Sequence, residues 1–154
     1  MTAPMSTCRK VCTLLGATLF MLFCGTTYII GTITPYIANY FRVEISEVQL
    51  ILPSIILLQT CIMPIGGCLA QRISARLLMA IGGIICVGSM LLATLVSRDS
   101  FMAFFILFVG GFGILEGLCY MVPIQLGWKT VSERSGLISG IIIAGFGLGA
   151  LIFC

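Results

Sequence analysis

One acidic residue, Glu116, interrupts an otherwise apolar run from Phe101 to Leu126. In a lipid-embedded helix a carboxyl group is expensive. It therefore faces the interior of the bundle or a water-filled cavity rather than lipid. Two uses follow from its chemistry: it can couple transport to a proton, or it can orient a polar solute. Gly113, Glu116, Gly117 and Tyr120 fall at i, i+3, i+4 and i+7, so they share one helical stripe. Two of these residues are small enough to admit a neighbouring helix, and two are polar. The structural alternative is a hydrogen bond from Glu116 to a neighbouring helix, or to a basic residue outside this chain. A second stripe, Thr27, Tyr28, Gly31, Thr34 and Pro35, lies in an earlier apolar run. It lines a cavity or packs a helix through hydroxyls and small residues.

Other chemistry is excluded by residue type. There is no His, so Ser-His and Cys-His catalysis and mixed zinc sites are ruled out. Of the eight Cys, six (Cys24, Cys61, Cys68, Cys86, Cys119 and Cys154) lie in apolar runs, where thiols act as small hydrophobes. Cys8 and Cys12 lack the spacing of a metal or redox motif. No apolar run holds paired carboxylates, and no nucleotide loop is present. The expectation is a protein that is not an enzyme, with no metal and no cofactor.

The elements that position Glu116 follow from composition. Of 154 residues, 60% are hydrophobic, 18 are Gly and only 8% are charged. Mean hydropathy is +1.21. Soluble domains carry about 25% charged residues. This balance excludes a soluble domain, a disordered tail and a nucleic-acid binder. The partner of most of the surface is the lipid bilayer. The apolar runs are continuous and far longer than barrel strands. Lipid offers no hydrogen-bond partners to the backbone, so the runs are helices.

Five spans are expected, at about 11–34, 48–70, 77–96, 101–126 and 136–154. The fold class is all-α, a polytopic membrane bundle. Arg9, Lys10, Arg72, Arg76, Lys129 and Arg134 fall on one side and Arg42 and Arg98 on the other. Six basic residues against two place the N-terminus in the cytoplasm. The first run is too long for a signal-peptide core and has no cleavage site, so it reads as a retained span. Pro53 and Pro64 break the backbone ladder of span two, and Gln59 between them needs a partner. Gly113/Gly117, Gly136/Gly140 and Gly145/Gly149 are GxxxG pairs, read as helix packing. Span five is still apolar at Cys154 without a polar anchor, so the expectation is a chain cut from a longer one.

Two segments carry a family resemblance. The loop after span two reads Gly67-Cys-Leu-Ala-Gln71-Arg72-Ile-Ser74-Ala-Arg76. It resembles the major facilitator superfamily signature Gly-x3-Asp-Arg/Lys-x-Gly-x-Arg/Lys between helices two and three. Gly67, Arg72 and Arg76 match; Gln71 and Ser74 stand where the family has Asp and Gly. Gly111 through Glu116 and Tyr120 to Pro123, followed by Arg134-Ser-Gly136 and the Gly-rich start of span five, resemble helices four and five. The likeness is to the monocarboxylate transporter and oxalate:formate antiporter branch. Span one, Cys24-Gly25-Thr26-Thr27-Tyr28, lacks the acidic residue of that branch's first-helix motif.

The resemblance implies the first part of a twelve-helix fold, with the C-terminal half missing. It also implies secondary transport of a small organic solute by alternating access. That solute would be a monocarboxylate, moved with a proton or against a counter-transported anion. Tyr28, Glu116 and Tyr120 would line the path. Gly67, Gln71, Arg72, Arg76 and Arg134 would form the cytoplasmic gate. The alternatives are a non-transporting membrane scaffold or partner subunit, or an inactive fragment.

Overall fold

The structure, a computed structural model, describes residues 7–130 and 135–153. Among these residues the chain is helical, with five segments long and apolar enough to cross a membrane. They are Lys10–Phe41, Ile45–Arg72, Ala75–Thr94, Phe101–Thr130 and Ser135–Phe153. A multi-pass helical membrane protein is thus what the sequence folds into. Arg134 and Cys154, both singled out from the sequence, lie outside the described residues.

Three spans are built from two helices each. Span one consists of α1 (Thr7–Cys24), a 3-10 turn (Gly25–Tyr28) and α2 (Ile29–Phe41). Span two joins α3 (Ile45–Gln49) to α4 (Ile51–Arg72). Span three is α5 (Ala75–Thr94). Span four joins α6 (Phe101–Cys119) to α7 (Met121–Thr130), and span five is α8 (Ser135–Phe153).

The helix of span one runs past Pro35 to Phe41, where the sequence suggests a loop from Pro35 to Glu47. The reason is the solvent. A proline inside a helix leaves the carbonyl four residues earlier, here that of Gly31, without its usual donor. Ending the helix in lipid would leave several backbone groups unpaired, at several kcal/mol each. The chain instead reverses over Arg42, Val43 and Glu44, with Arg42 in the left-handed region at φ 56°. The N–H groups of Arg42 and Val43 both bond the Ala38 carbonyl, which closes the helix end. Span four likewise continues to Thr130, so Trp128 and Lys129 are helical rather than in a loop.

Span four is the hub of the bundle. Its α6 packs between α4 and α5, and its α7 packs against α1 and α8. Gly113 and Gly117 receive Leu58 and Ile62 of α4, and a Cβ on Gly117 would lie 2.6 Å from Ile62. Gly145 and Gly149 let α8 cross span one at Thr18, Leu22 and Gly25; a Cβ on Gly145 would lie 2.6 Å from the Thr18 carbonyl oxygen. Two of the three GxxxG pairs therefore pack as expected. Gly136 and Gly140 have no neighbour within 4 Å of a built Cβ among the described residues.

Two apolar clusters fill the interior. One gathers Ile30 and Ala38 of α2, Ile51 and Ile55 of α4, and Phe108 and Val109 of α6. The other gathers Ala17 and Met21 of α1, Ile124 of α7, and Ile138 and Ile142 of α8. Along span one the gap between the clusters falls at residues 24–28. Along span four it contains Glu116. The polar site occupies that gap.

Candidate functional site

Local chemistry breaks span one at this level. The Thr26 hydroxyl donates to the Phe23 carbonyl at 2.7 Å, and the Thr27 hydroxyl lies 2.9 Å from the Cys24 carbonyl. Both reach back three residues, and the backbone here tightens into a 3-10 turn. Gly25 allows this turn to sit directly against α8 at Phe146, Gly149 and Ala150. In span four, Pro123 supplies no N–H to the carbonyl of Cys119, the residue at which α6 ends. Both breaks fall beside the same pair of side chains.

That pair is Thr27 and Glu116. The Thr27 hydroxyl donates to Oε1 of Glu116, joining positions 89 residues apart. Glu116 is 2% exposed and Thr27 3% exposed, so the contact is sealed from solvent. No cation pairs with Glu116 among the described residues. The carboxyl is held by a neutral hydroxyl instead.

This arrangement accommodates both protonation states of the acid. A threonine hydroxyl has one proton to give and can accept as well. With Glu116 ionised, Thr27 donates to it. With Glu116 protonated, the carboxyl O–H donates to Thr27 Oγ1, and the threonine proton turns to the Cys24 carbonyl 2.9 Å away. Neither state strands a buried polar atom, which would otherwise cost about 1–3 kcal/mol. Either protonation state thus finds a hydrogen bond with the backbone where it stands.

The other two residues expected along a solute path meet here too. Tyr28 and Tyr120 both set their rings edge-on to Phe146 of α8, with centroids 5.6 Å and 6.0 Å away. Tyr28, Glu116 and Tyr120 therefore form one neighbourhood around the two helix breaks. Thr34 is buried and returns its hydroxyl to the Ile30 carbonyl at 2.6 Å, while Gly31 and Pro35 are exposed. The stripe in span one thus splits, with Thr27 and Thr34 facing inward.

The loop motif lies elsewhere. Gly67 is half-buried, and Gln71, Arg72 and Arg76 are exposed around the α4–α5 connection. None of the three forms an ion pair among the described residues. Ser74, which replaces the family's Gly, caps α5 by accepting from the Leu77 N–H at 3.4 Å.

Two participants were not singled out from the sequence. Phe146, between two glycines of a packing pair, gives no signal of its own. The Cys24 carbonyl is a backbone atom invisible to residue-type reasoning. The role of Thr27 as partner to Glu116 also depends on a long-range contact.

Comparison with known proteins gives one informative match. The chain is 25% identical over 186 residues to apicoplast pyruvate carrier 1 of Toxoplasma gondii. The match covers 93% of this chain and 33% of that protein, so the chain spans about a third of the relative's length. The relative is a carrier by name, not an enzyme. No family model matches the chain, and no solved structure matches it.

Proposed function

We propose that this chain forms part of a secondary carrier for small monocarboxylates, built on the major facilitator plan and working by alternating access. The observation that carries the reading is the sealed Thr27–Glu116 hydrogen bond at the paired breaks of spans one and four. A buried acid with no cation partner among the described residues, but with a hydrogen bond available in either protonation state, suits a proton-coupling role. The pyruvate carrier among its relatives supports a monocarboxylate as the solute.

In this reading Glu116 exchanges the proton, and Tyr28 and Tyr120 flank the solute path. Gly67, Gln71, Arg72, Arg76 and Arg134 belong to the cytoplasmic gate, with the N-terminus on that side. Further helices of such a carrier complete the path opposite spans one and four. Rocking of the two halves would open the sealed site first to one side and then to the other.

Uptake of labelled pyruvate into proteoliposomes tests the reading. The full-length carrier containing this chain should accelerate uptake above empty vesicles, and an inward proton gradient should accelerate it further. Uptake equal to that of empty vesicles contradicts the proposal.

A further inference from the structure

A hollow of about 580 Å³ opens between α1 and α5, over α7, at the end of the bundle rich in basic residues. Its apolar wall follows α1 from Cys12 to Phe20, about 12 Å at the helical rise of 1.5 Å per residue. Met79, Val122 and Leu126 complete that wall. Two cations border it: Arg76 in the first turn of α5 and Lys129 in the last turn of α7. Both are exposed; among the described residues neither forms an ion pair, and no acidic residue lines the hollow. Lys129 also borders an adjoining shelf with Gln71, Gln125 and Trp128. The Trp128 indole N–H is held by Ser139 at 2.7 Å, in the manner of an interfacial anchor.

An apolar slot with two exposed cations at one end is complementary to an anion carrying a hydrocarbon chain. We infer that this hollow is a binding site for an anionic phospholipid. One acyl chain lies along α1, and the phosphate sits between Arg76 and Lys129. Basic pockets between spans attract acidic headgroups, each Lys or Arg strengthening the attraction. The first turn of α5 adds the positive end of its helix dipole and has no acidic residue to compete. Gly16 borders the slot and has nothing within 4 Å of a built Cβ, so a side chain there projects into the space the acyl chain would fill.

The test uses purified protein in a neutral detergent, titrated with phosphatidylglycerol or phosphatidylcholine of identical chains. Bound lipid is counted by native mass spectrometry, and the thermal unfolding midpoint is followed. Phosphatidylglycerol should bind about tenfold or more tightly than phosphatidylcholine. The double variant Arg76→Gln/Lys129→Gln should lose that preference. Gly16→Leu should weaken binding of both lipids without lowering the lipid-free midpoint. Glycerol 3-phosphate alone should have no effect. Equal binding of the two lipids overturns the inference, as does a preference that survives either variant. A response to glycerol 3-phosphate matching that to the lipid would make the site one for a free anion. A drop in the lipid-free midpoint of Gly16→Leu would mean that protein, not lipid, fills the slot. Either result removes the proposal.

Discussion

A buried carboxyl group with no cation beside it has to be held by neutral donors, and Thr27 is the donor that the fold supplies. Replacing Thr27 with Val keeps the shape and removes the hydroxyl. The thermal unfolding midpoint in detergent should fall by the equivalent of about 0.5–2 kcal/mol, the range for hydrogen bonds between membrane helices. Thr27→Ser should restore most of that loss. Thr26→Val is the control: among the described residues its hydroxyl bonds only the local Phe23 carbonyl, so its effect should be the smaller one. At this scale much of the site was legible. A lone acid in an apolar run identifies itself, and helical spacing linked it to Tyr120. Tyr28 stood out as a polar ring within a polar stripe. The pairing with Thr27 was not legible, because nothing local connects residues on spans one and four. It sits beside other long-range contacts: Phe146 of α8 lies against both tyrosines, and the 3-10 turn lies against Gly149.

Helix-forming rules changed their weight in lipid. Pro35 reads as a helix end by rules learned in water, yet α2 continues to Phe41, because an unpaired backbone group costs more without water than one missing bond. The glycine pairs show the converse limit. Gly136/Gly140 and Gly145/Gly149 have the same spacing, and only the second pair meets another helix among the described residues. Spacing marks where close packing can occur, but the partner decides whether it does. Alanine substitutions should separate the two cases. Gly149→Ala drives a methyl into the backbone at Leu22 and Gly25, and should destabilise the protein by about 1–3 kcal/mol. Gly140→Ala meets open space and should be neutral or slightly stabilising, as Ala favours a helix by up to about 1 kcal/mol over Gly. Thermal unfolding of the two variants side by side checks this.

For the molecule as a whole, the number and order of spans were readable from composition, since 8% charge leaves few places for loops. How the spans pack was not readable. The central place of span four, with α6 between α4 and α5 and α7 on α1 and α8, is a property of long-range contacts. The unequal distribution of Lys and Arg supports the proposed orientation, with the N-terminus cytoplasmic, and labelling tests it. A cysteine placed at Ser97, in the turn between spans three and four, should react with a membrane-impermeant maleimide added outside intact cells. A cysteine at Gln71 should react only after permeabilisation. The reverse pattern would invert the topology. The central claim is that Glu116 carries a proton together with the solute, and the most direct measurement is the proton movement itself. Proteoliposomes containing a pH-sensitive dye are given pyruvate outside, with the membrane potential clamped. The wild-type protein should acidify the interior as pyruvate enters. Glu116→Gln keeps a hydrogen bond to Thr27 but cannot release a proton, so it should give no protein-dependent acidification. Acidification by Glu116→Gln at the wild-type rate would contradict the account.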